Sequence, residues 1–370
     1  MTESIRIGVV IGTRPEAIKL APVVWAMEAD PILTPIVIST GQHKELLDPM
    51  LESFGINPTH ELAAMAASGG LAELTSRLIE QLGRLFAAMT GIRGLIVQGD
   101  TTSALCGALA AFYEKIEVAH VEAGLRSGVL FDPFPEELNR RIISIATRWH
   151  FAPTGRAAAS LRAEGIPNEA ISVTGNTVLD TLKWARKTSL GKSAFNSTRT
   201  HILVTLHRRE TQGIVMENLG RSIADITDLS HADTVLPLHK NPLVRKSLLP
   251  ALSATPGVRL LEPMGYFDFQ ATLADTDLLI TDSGGVLEEA SFLGVPTIVC
   301  RDATERPEAI EAGTALLAGV NSIRLTDEAM ALLHSPQRQA MMAAAPCPFG
   351  DGSAARRISD RLARDLGTRK

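Results

Sequence analysis

Cysteine is scarce in this chain: Cys106, Cys300 and Cys347 are scattered through 370 residues and odd in number. They supply neither a disulfide framework nor a zinc cluster, and a reducing cytoplasm is the compartment they fit. No apolar run reaches the roughly 18 residues that a spanning helix needs, so no membrane partner is expected. Positive charge is not in excess either. With 36 Lys and Arg against 41 Asp and Glu the net charge is -5, which gives no field for nucleic acid or an anionic membrane surface. The opening M-T-E-S-I-R-I-G lacks the basic start and cleavage site of a signal peptide and reads instead as the approach to a buried strand. A Walker motif, a G-x-G-x-x-G fingerprint, a spaced metal cluster, short repeats and low-complexity tracts are also missing.

What is present is ordinary globular material, 45% hydrophobic and 21% charged, with enough length for two domains. Short apolar runs alternate with longer amphipathic stretches, the pattern of a parallel sheet covered by helices on both faces. Strands are expected at 5–11, 35–40, 94–98, 117–121, 149–152 and 171–173. Helices are expected at 15–28, 71–89, 101–113 and 135–146. A polar stretch without periodicity, 189–199, reads as a linker. The pattern then restarts with strands at 201–205, 234–238, 258–261, 278–281 and 297–300. An amphipathic helix at about 352–368 closes the chain and is expected to return to the first domain. The expected fold class is α/β, with two Rossmann-like domains, 1–180 and 181–351, and a ligand cleft between them at the carboxyl ends of the strands.

Residues just after the strands are therefore the candidates for chemistry. After the first strand, G-T-R-P-E-A-I-K-L offers Arg14 and Lys19 beside a helix start, a setting suited to phosphate. Solvated surface is their plain alternative. Asp100 ends the third strand in Q-G-D-T-T-S, where it either faces a ligand or helps cap the next helix. In A-H-V-E-A-G-L-R-S-G, Glu122 follows a buried run, and an ionised carboxylate is seldom buried without partners. In D-P-F-P-E-E-L-N-R-R, Pro135 suits a first helical position. Glu136 and Glu137 suit the dipole there, and each has an arginine four residues on. That stretch is explained by helix electrostatics alone or by one glutamate doing chemistry.

In the second half, His207, Arg208 and Arg209 end a strand and suit anionic oxygens. The run T-D-S-G-G-V-L-E-E-A-S is a strand tip turning through Ser283, Gly284 and Gly285 into a helix, an anion cradle. Either Glu288 or Glu289 could chelate a ribose diol, or both could lie on a solvated face. The residues thus point to a nucleoside diphosphate gripped opposite several carboxylates. Carboxylates facing an anionic ligand serve proton transfer better than binding.

These stretches, with G-Q-H, G-N-T-V-L-D, H-R-R-E, R-D-A-T-E-R-P-E and F-G-D-G-S-A, resemble the non-hydrolysing UDP-N-acetylglucosamine 2-epimerases of bacteria over nearly the whole chain. The resemblance implies a glycosyltransferase-B-like fold and a cytoplasmic homodimer. It further implies interconversion of UDP-N-acetylglucosamine and UDP-N-acetylmannosamine with no redox cofactor or metal. In such enzymes UDP leaves by anti elimination to give a 2-acetamidoglucal, then adds back with carbon 2 inverted. By this resemblance Asp100, Glu122 and Glu136 are the acid–base group, and His207 assists the departing phosphate. Arg14 and Lys19 contact the substrate, Ser283, Gly284 and Gly285 hold pyrophosphate, Glu289 takes the ribose hydroxyls and Phe269 lies near uracil. Gln42, His43, Glu137, Arg208 and His239 match an effector site for a second UDP-sugar, with Glu137 on the outer or effector side of its helix.

Three departures stand out. Met264 replaces a common glutamine in the uracil loop, Gly69 and Gly70 replace polar effector-loop residues, and G-V-L-F-D at 128–132 replaces G-D-x-Y-S. The second implies weakened activation by a second substrate molecule, and the third a modified UDP-amino sugar as substrate. A hydrolysing epimerase, a UDP-sugar glycosyltransferase and an inactive UDP-sugar sensor are the rival readings.

Overall fold

β-Branched residues fill the opening runs, IRIGVVI and LTPIVIS, and both form parallel strands whose later residues are buried. The structure, a computed structural model, describes residues 4–64 and 70–368. It divides into two compact units, one running to Thr181 and resuming at Gly350, the other Leu182–Phe349.

The first unit holds seven strands: β1 Ile5–Ile11, β2 Leu33–Ser39, β3 His60–Glu61, β4 Ile92–Gln98, β5 Glu117–Val121, β6 Thr147–Ala152 and β7 Ile171–Val173. They lie in the order β3-β2-β1-β4-β5-β6-β7, with every pairing parallel. The second unit holds β8 His201–Thr205, β9 Asp233–Pro237, β10 Val258–Leu261, β11 Leu278–Thr281, β12 Thr297–Val299 and β13 Ala315–Leu317. Their order is β10-β9-β8-β11-β12-β13, again all parallel. Each sheet is thus Rossmann-like. Each reverses its winding beside its first strand, between β1 and β4 and between β8 and β11, where such sheets leave room for ligands beyond the strand ends.

In the first unit Val10, Leu95 and Val97 pack with Leu78, Leu82 and Phe86 of the helix Leu71–Ala88. In the second, Ile202, Val204 and Ile280 pack with Leu219 and Ile223 of the helix Ile214–Ser230. Strands β3 and β13 have no counterpart in the sequence reading. Each is an edge strand of two or three residues, too short to show a period.

The polar stretch read as a linker has neither helix nor strand, yet it is packed onto the second unit. Phe195 is buried beside Leu203 and Leu279 and stacks on His201, and the Lys192 amide donates to Asp268. Its packing comes from one phenylalanine that the surrounding polarity hides. The closing helix, Ala354–Gly367, packs on the helix Arg14–Glu28 in the first unit, burying Ile358, Leu362 and Leu366. Asp180 accepts the Ala354 and Ala355 amides at its N-terminus, and burial pushes that carboxyl up to about 6.

Candidate functional site

In the first unit, Thr13 caps the helix Arg14–Glu28, with Pro15 in its first turn. Arg14 is exposed at the helix start, and Lys19 lies one turn further on, half-buried. The Lys19 ammonium sits 2.5 Å from Glu122 Oε2. Glu122 is the residue after β5, is buried, and has φ of +65°, a left-handed backbone that costs a side chain about 1–2 kcal/mol. Gln98, the last residue of β4, donates to the same carboxylate, and Asn176 Nδ2 donates to its other oxygen at 3.2 Å.

Asp100 follows β4, and Arg140 Nη2 meets its Oδ2 at 2.7 Å. Burial raises the Asp100 carboxyl above its ordinary value. Arg140 and Lys19 oppose the rise, and Glu122 and Glu136 add to it. Asp100 therefore senses the whole set: the structure gathers Lys19, Asp100, Glu122, Glu136 and Arg140 into one electrostatic neighbourhood.

The two glutamates after Pro135 behave differently from the sequence expectation. Pro135 is the N-cap, and the helix runs Glu136–Ala146. Glu137 pairs with Arg141 at 2.8 Å as expected, but Arg140 turns to Asp100 and gives only its Nε to the Glu136 carbonyl. The expected Glu136–Arg140 pair is not formed, because Asp100 offers that guanidinium a charged partner. Glu137 is not on an outer face either. It is fully buried and accepts the Ser127 amide at 3.0 Å, and its carboxyl is held low by Ser127, Arg141 and Arg140 against the effect of burial. Glu136 Oε2 is buried with no hydrogen-bond partner, a carboxylate oxygen left available.

In the second unit, His207 follows β8, and its Nδ1 lies 3.4 Å from Asp282 Oδ1. Asp282, fully buried after β11, also accepts the amides of His207 and Arg208 at 2.8 and 2.9 Å. Burial holds the His207 imidazole below its usual value, with His239 and Arg208 acting in the same sense and Asp282 against it. His239 stacks on His207 with ring centres 5.6 Å apart. The two histidines, Thr205, Pro237, Met264, Phe269, Ser283 and Val286 line a cavity of about 200 Å³. Its mostly apolar wall suits a flat heterocycle.

Ser283 is the N-cap of the helix Gly284–Leu293 and makes no side-chain cap bond, with Gly285 exposed in the first turn. Both Glu288 and Glu289 are buried rather than on a solvated face. Arg306 pairs with Glu288 at 2.5 Å, and Gln270 donates to Glu289 at 2.6 Å.

Of the remaining residues carried over by resemblance, Gln42 accepts the Ser103 amide and hydroxyl, and His43 is the exposed N-cap of the helix Lys44–Ser53. Arg208 pairs with Glu305 at 3.3 Å. Gly69 lies outside the described residues, and Gly70 is the N-cap of the helix Leu71–Ala88. Gln98, Asn176, Asp282 and Gln270 escaped the sequence reading. Three of them are uncharged amides; Gln98 ends β4 and Asp282 follows β11, the available signal, whereas Asn176 lies in the loop after β7 and Gln270 inside the helix Tyr266–Ala274.

The family model for UDP-N-acetylglucosamine 2-epimerase matches residues 25–363. The chain is 42% identical to the UDP-N-acetylglucosamine 2-epimerase of Salmonella typhimurium over 95% of its length and 97% of that protein's. It is 41% identical to the Bacillus subtilis enzyme of the same name over 100% of this chain and 97% of that one. Among solved structures, the Neisseria meningitidis UDP-GlcNAc 2-epimerase bound to UDP-GlcNAc superposes with a TM-score of 0.88 at 37% identity. That match covers 97% of this chain and 100% of the other. The likeness to the kitacinnamycin glycosyltransferase, TM-score 0.64 at 13% identity, shows the fold alone, of the glycosyltransferase-B-like kind. This chain belongs to the UDP-N-acetylglucosamine 2-epimerase family.

Proposed function

We propose that this protein interconverts UDP-N-acetylglucosamine and UDP-N-acetylmannosamine by anti elimination of UDP and its re-addition to a 2-acetamidoglucal. The observation that carries this reading is the carboxylate set around Asp100: Glu122 held by Lys19, Asp100 held by Arg140, and an unpartnered oxygen on Glu136. The hydrogen on carbon 2 is not acidic in the ground state, so its removal must accompany loss of UDP from carbon 1. Inversion then needs a proton taken from one face and delivered to the other, work for more than one carboxyl group. The same charges stabilise positive charge developing at carbon 1.

In this reading Asp100, Glu122 and Glu136 serve carbon 2, and His207 faces the departing phosphate. Arg14 and Lys19 hold the substrate, Ser283, Gly284 and Gly285 take the pyrophosphate, Glu289 the ribose and Phe269 the uracil. The enzyme acts as a cytoplasmic homodimer. Proton NMR with UDP-N-acetylglucosamine in deuterium oxide tests the proposal. Exchange at carbon 2 with the UDP-sugar intact supports it, and net release of UDP identifies a hydrolysing epimerase.

A modified UDP-amino sugar is favoured as a second reading by one observation. Val129, Phe131 and Phe134 are exposed just before Glu136, and the two phenylalanines stack. Faster exchange with a 6-deoxy analogue than with UDP-N-acetylglucosamine would select it. Gln42, His43, Glu137, Arg208 and His239 are all present, but Gly69 and Gly70 stand where relatives carry polar side chains, and this loss supports weakened activation by a second UDP-sugar. Epimerisation starting from UDP-N-acetylmannosamine therefore proceeds without added UDP-N-acetylglucosamine.

A further inference from the structure

Glu16, in the first turn of the helix Arg14–Glu28, is a fully buried carboxylate for which the proposed chemistry has no use. Its Oε2 accepts the Gly12 amide at 2.9 Å and the Thr13 hydroxyl at 2.9 Å, while its Oε1 accepts the Thr101 hydroxyl at 2.7 Å. An ionised carboxylate only accepts, so the Gly12 amide and both hydroxyls donate to it, while the hydroxyl oxygens accept the Glu16 and Ala104 amides. Burial raises the Glu16 carboxyl, and the Thr101, Gly12 and Thr13 donors oppose that rise. No cation pairs with Glu16 among the described residues. A charge buried on neutral donors alone is costly, so what it fastens matters.

It fastens the ends of two neighbouring strands. Gly12 and Thr13 form the corner after β1 that leads to Arg14 and Lys19, and Thr101 directly follows Asp100 at the end of β4. The two corners are in close contact: a Cβ on Gly12 would lie 2.1 Å from Ser103 Oγ and 2.5 Å from Thr40 Oγ1. Two further side chains hold the same peptide segment. His120 Nε2 bonds to the Gly99 carbonyl at 2.7 Å, and Asn139 Nδ2 donates to the Asp100 carbonyl at 2.8 Å. Of these three clamps, Glu16 ties the Asp100 turn to the corner carrying Lys19.

We propose that Glu16 is a positioning residue for the reaction, one that keeps the Asp100 turn in register with the corner carrying Arg14 and Lys19. The inference rests on the assignment of Asp100 to proton transfer. Glutamine is not equivalent. With its oxygen kept on the Gly12 amide and the Thr13 hydroxyl, its nitrogen faces Thr101, which must turn from donor to acceptor and leave its own proton without the carboxylate. The turn then shifts by a fraction of an ångström, and a misplacement of about 1 Å at a reacting group costs roughly 100-fold in rate.

The test is carbon-2 exchange in deuterium oxide with Glu16→Gln, Thr101→Val and Thr101→Ser. Glu16→Gln and Thr101→Val are expected to lower kcat about tenfold or more with KM within about twofold, while Thr101→Ser keeps near-normal kcat. The acid limb of kcat should also move to lower pH. Asp100, leaving its buried place among Arg140, Lys19, Glu122 and Glu136, loses the burial that raises its carboxyl. If Glu16→Gln does not fold, the contrast between Thr101→Val and Thr101→Ser is decisive by itself. Normal kcat in Glu16→Gln or in Thr101→Val, with only a lower melting temperature, makes Glu16 a structural brace and overturns the inference. Full exchange in Asp100→Asn, or none in the native protein, removes the premise and the inference with it. An active native protein, an inactive Asp100→Asn and an unaffected Glu16→Gln sink the Glu16 role alone.

Discussion

Lys19 and Glu122, 103 residues apart in the chain, meet at 2.5 Å where the helix after β1 passes the end of β5. Removing one partner of such a pair leaves the other charge buried, a loss of about 3–5 kcal/mol for full burial and less here because Lys19 is partly exposed. Lys19→Met should therefore destabilise the protein by roughly 2–4 kcal/mol in urea denaturation at pH 7. The double variant Lys19→Met with Glu122→Gln should recover part of that loss. Additive losses would show that the pair contributes nothing.

Arg140 opposes the effect of burial on Asp100, so its removal lets the carboxyl rise further. A base that must be ionised then loses activity at a higher pH. Arg140→Met is expected to move the acid limb of kcat upward, the reverse of the shift expected for Glu16→Gln. A limb that stays in place would separate Asp100 from the rate-limiting proton transfer.

His120 and His150, neighbours across β5 and β6, are both buried, and burial lowers them to about 3 and about 4. A base depressed in the folded state favours folding above its unfolded value of about 6.5 and loses that contribution as pH falls from there toward the folded value. Between pH 7 and 5 each should cost roughly 2 kcal/mol of stability. His150→Phe should flatten that slope by about half in denaturant titrations at the two pH values. An unchanged slope would assign the acid lability elsewhere.

Glu136→Gln and Glu137→Gln should separate cleanly. The first removes a carboxylate with a buried, unpartnered oxygen and is expected to abolish exchange while leaving the melting temperature within a few degrees. The second removes the charge of a buried ion pair and leaves one oxygen to serve either Ser127 or Arg141, and should lower stability by about 2–4 kcal/mol. Full exchange in Glu136→Gln would return that stretch to a purely helical role.

Much of this is legible in the chain itself. Parallel strands covered by helices read as largely apolar runs, so Ile5–Ile11, Glu117–Val121, Ile171–Val173, His201–Thr205, Val258–Leu261 and Leu278–Thr281 are located with their observed limits. The residues one or two places past the strand ends, Asp100, Glu122 and His207, follow from that. The partners of those residues are not legible. Arg140 has two acidic candidates in its own helix, and only the packing of that helix beside β4 shows that Asp100 takes it. Glu137 looks like a surface charge because helix spacing gives the angle between neighbours, not which of them points inward. Gln98 and Asn176 carry no charge, and amides at strand ends look like ordinary polar loop residues until a carboxylate is found between them.

The left-handed backbone at Glu122 narrows what this position can become. Valine, isoleucine and threonine are excluded there by local sterics alone, whatever their chemistry. Glycine and asparagine are tolerated but bring no charge, and aspartate brings charge with a shorter reach. Mutational drift at 122 is therefore almost closed off while the fold persists. Glutamine keeps the reach of the native side chain and bears the same backbone cost, so it is the substitution that isolates the charge.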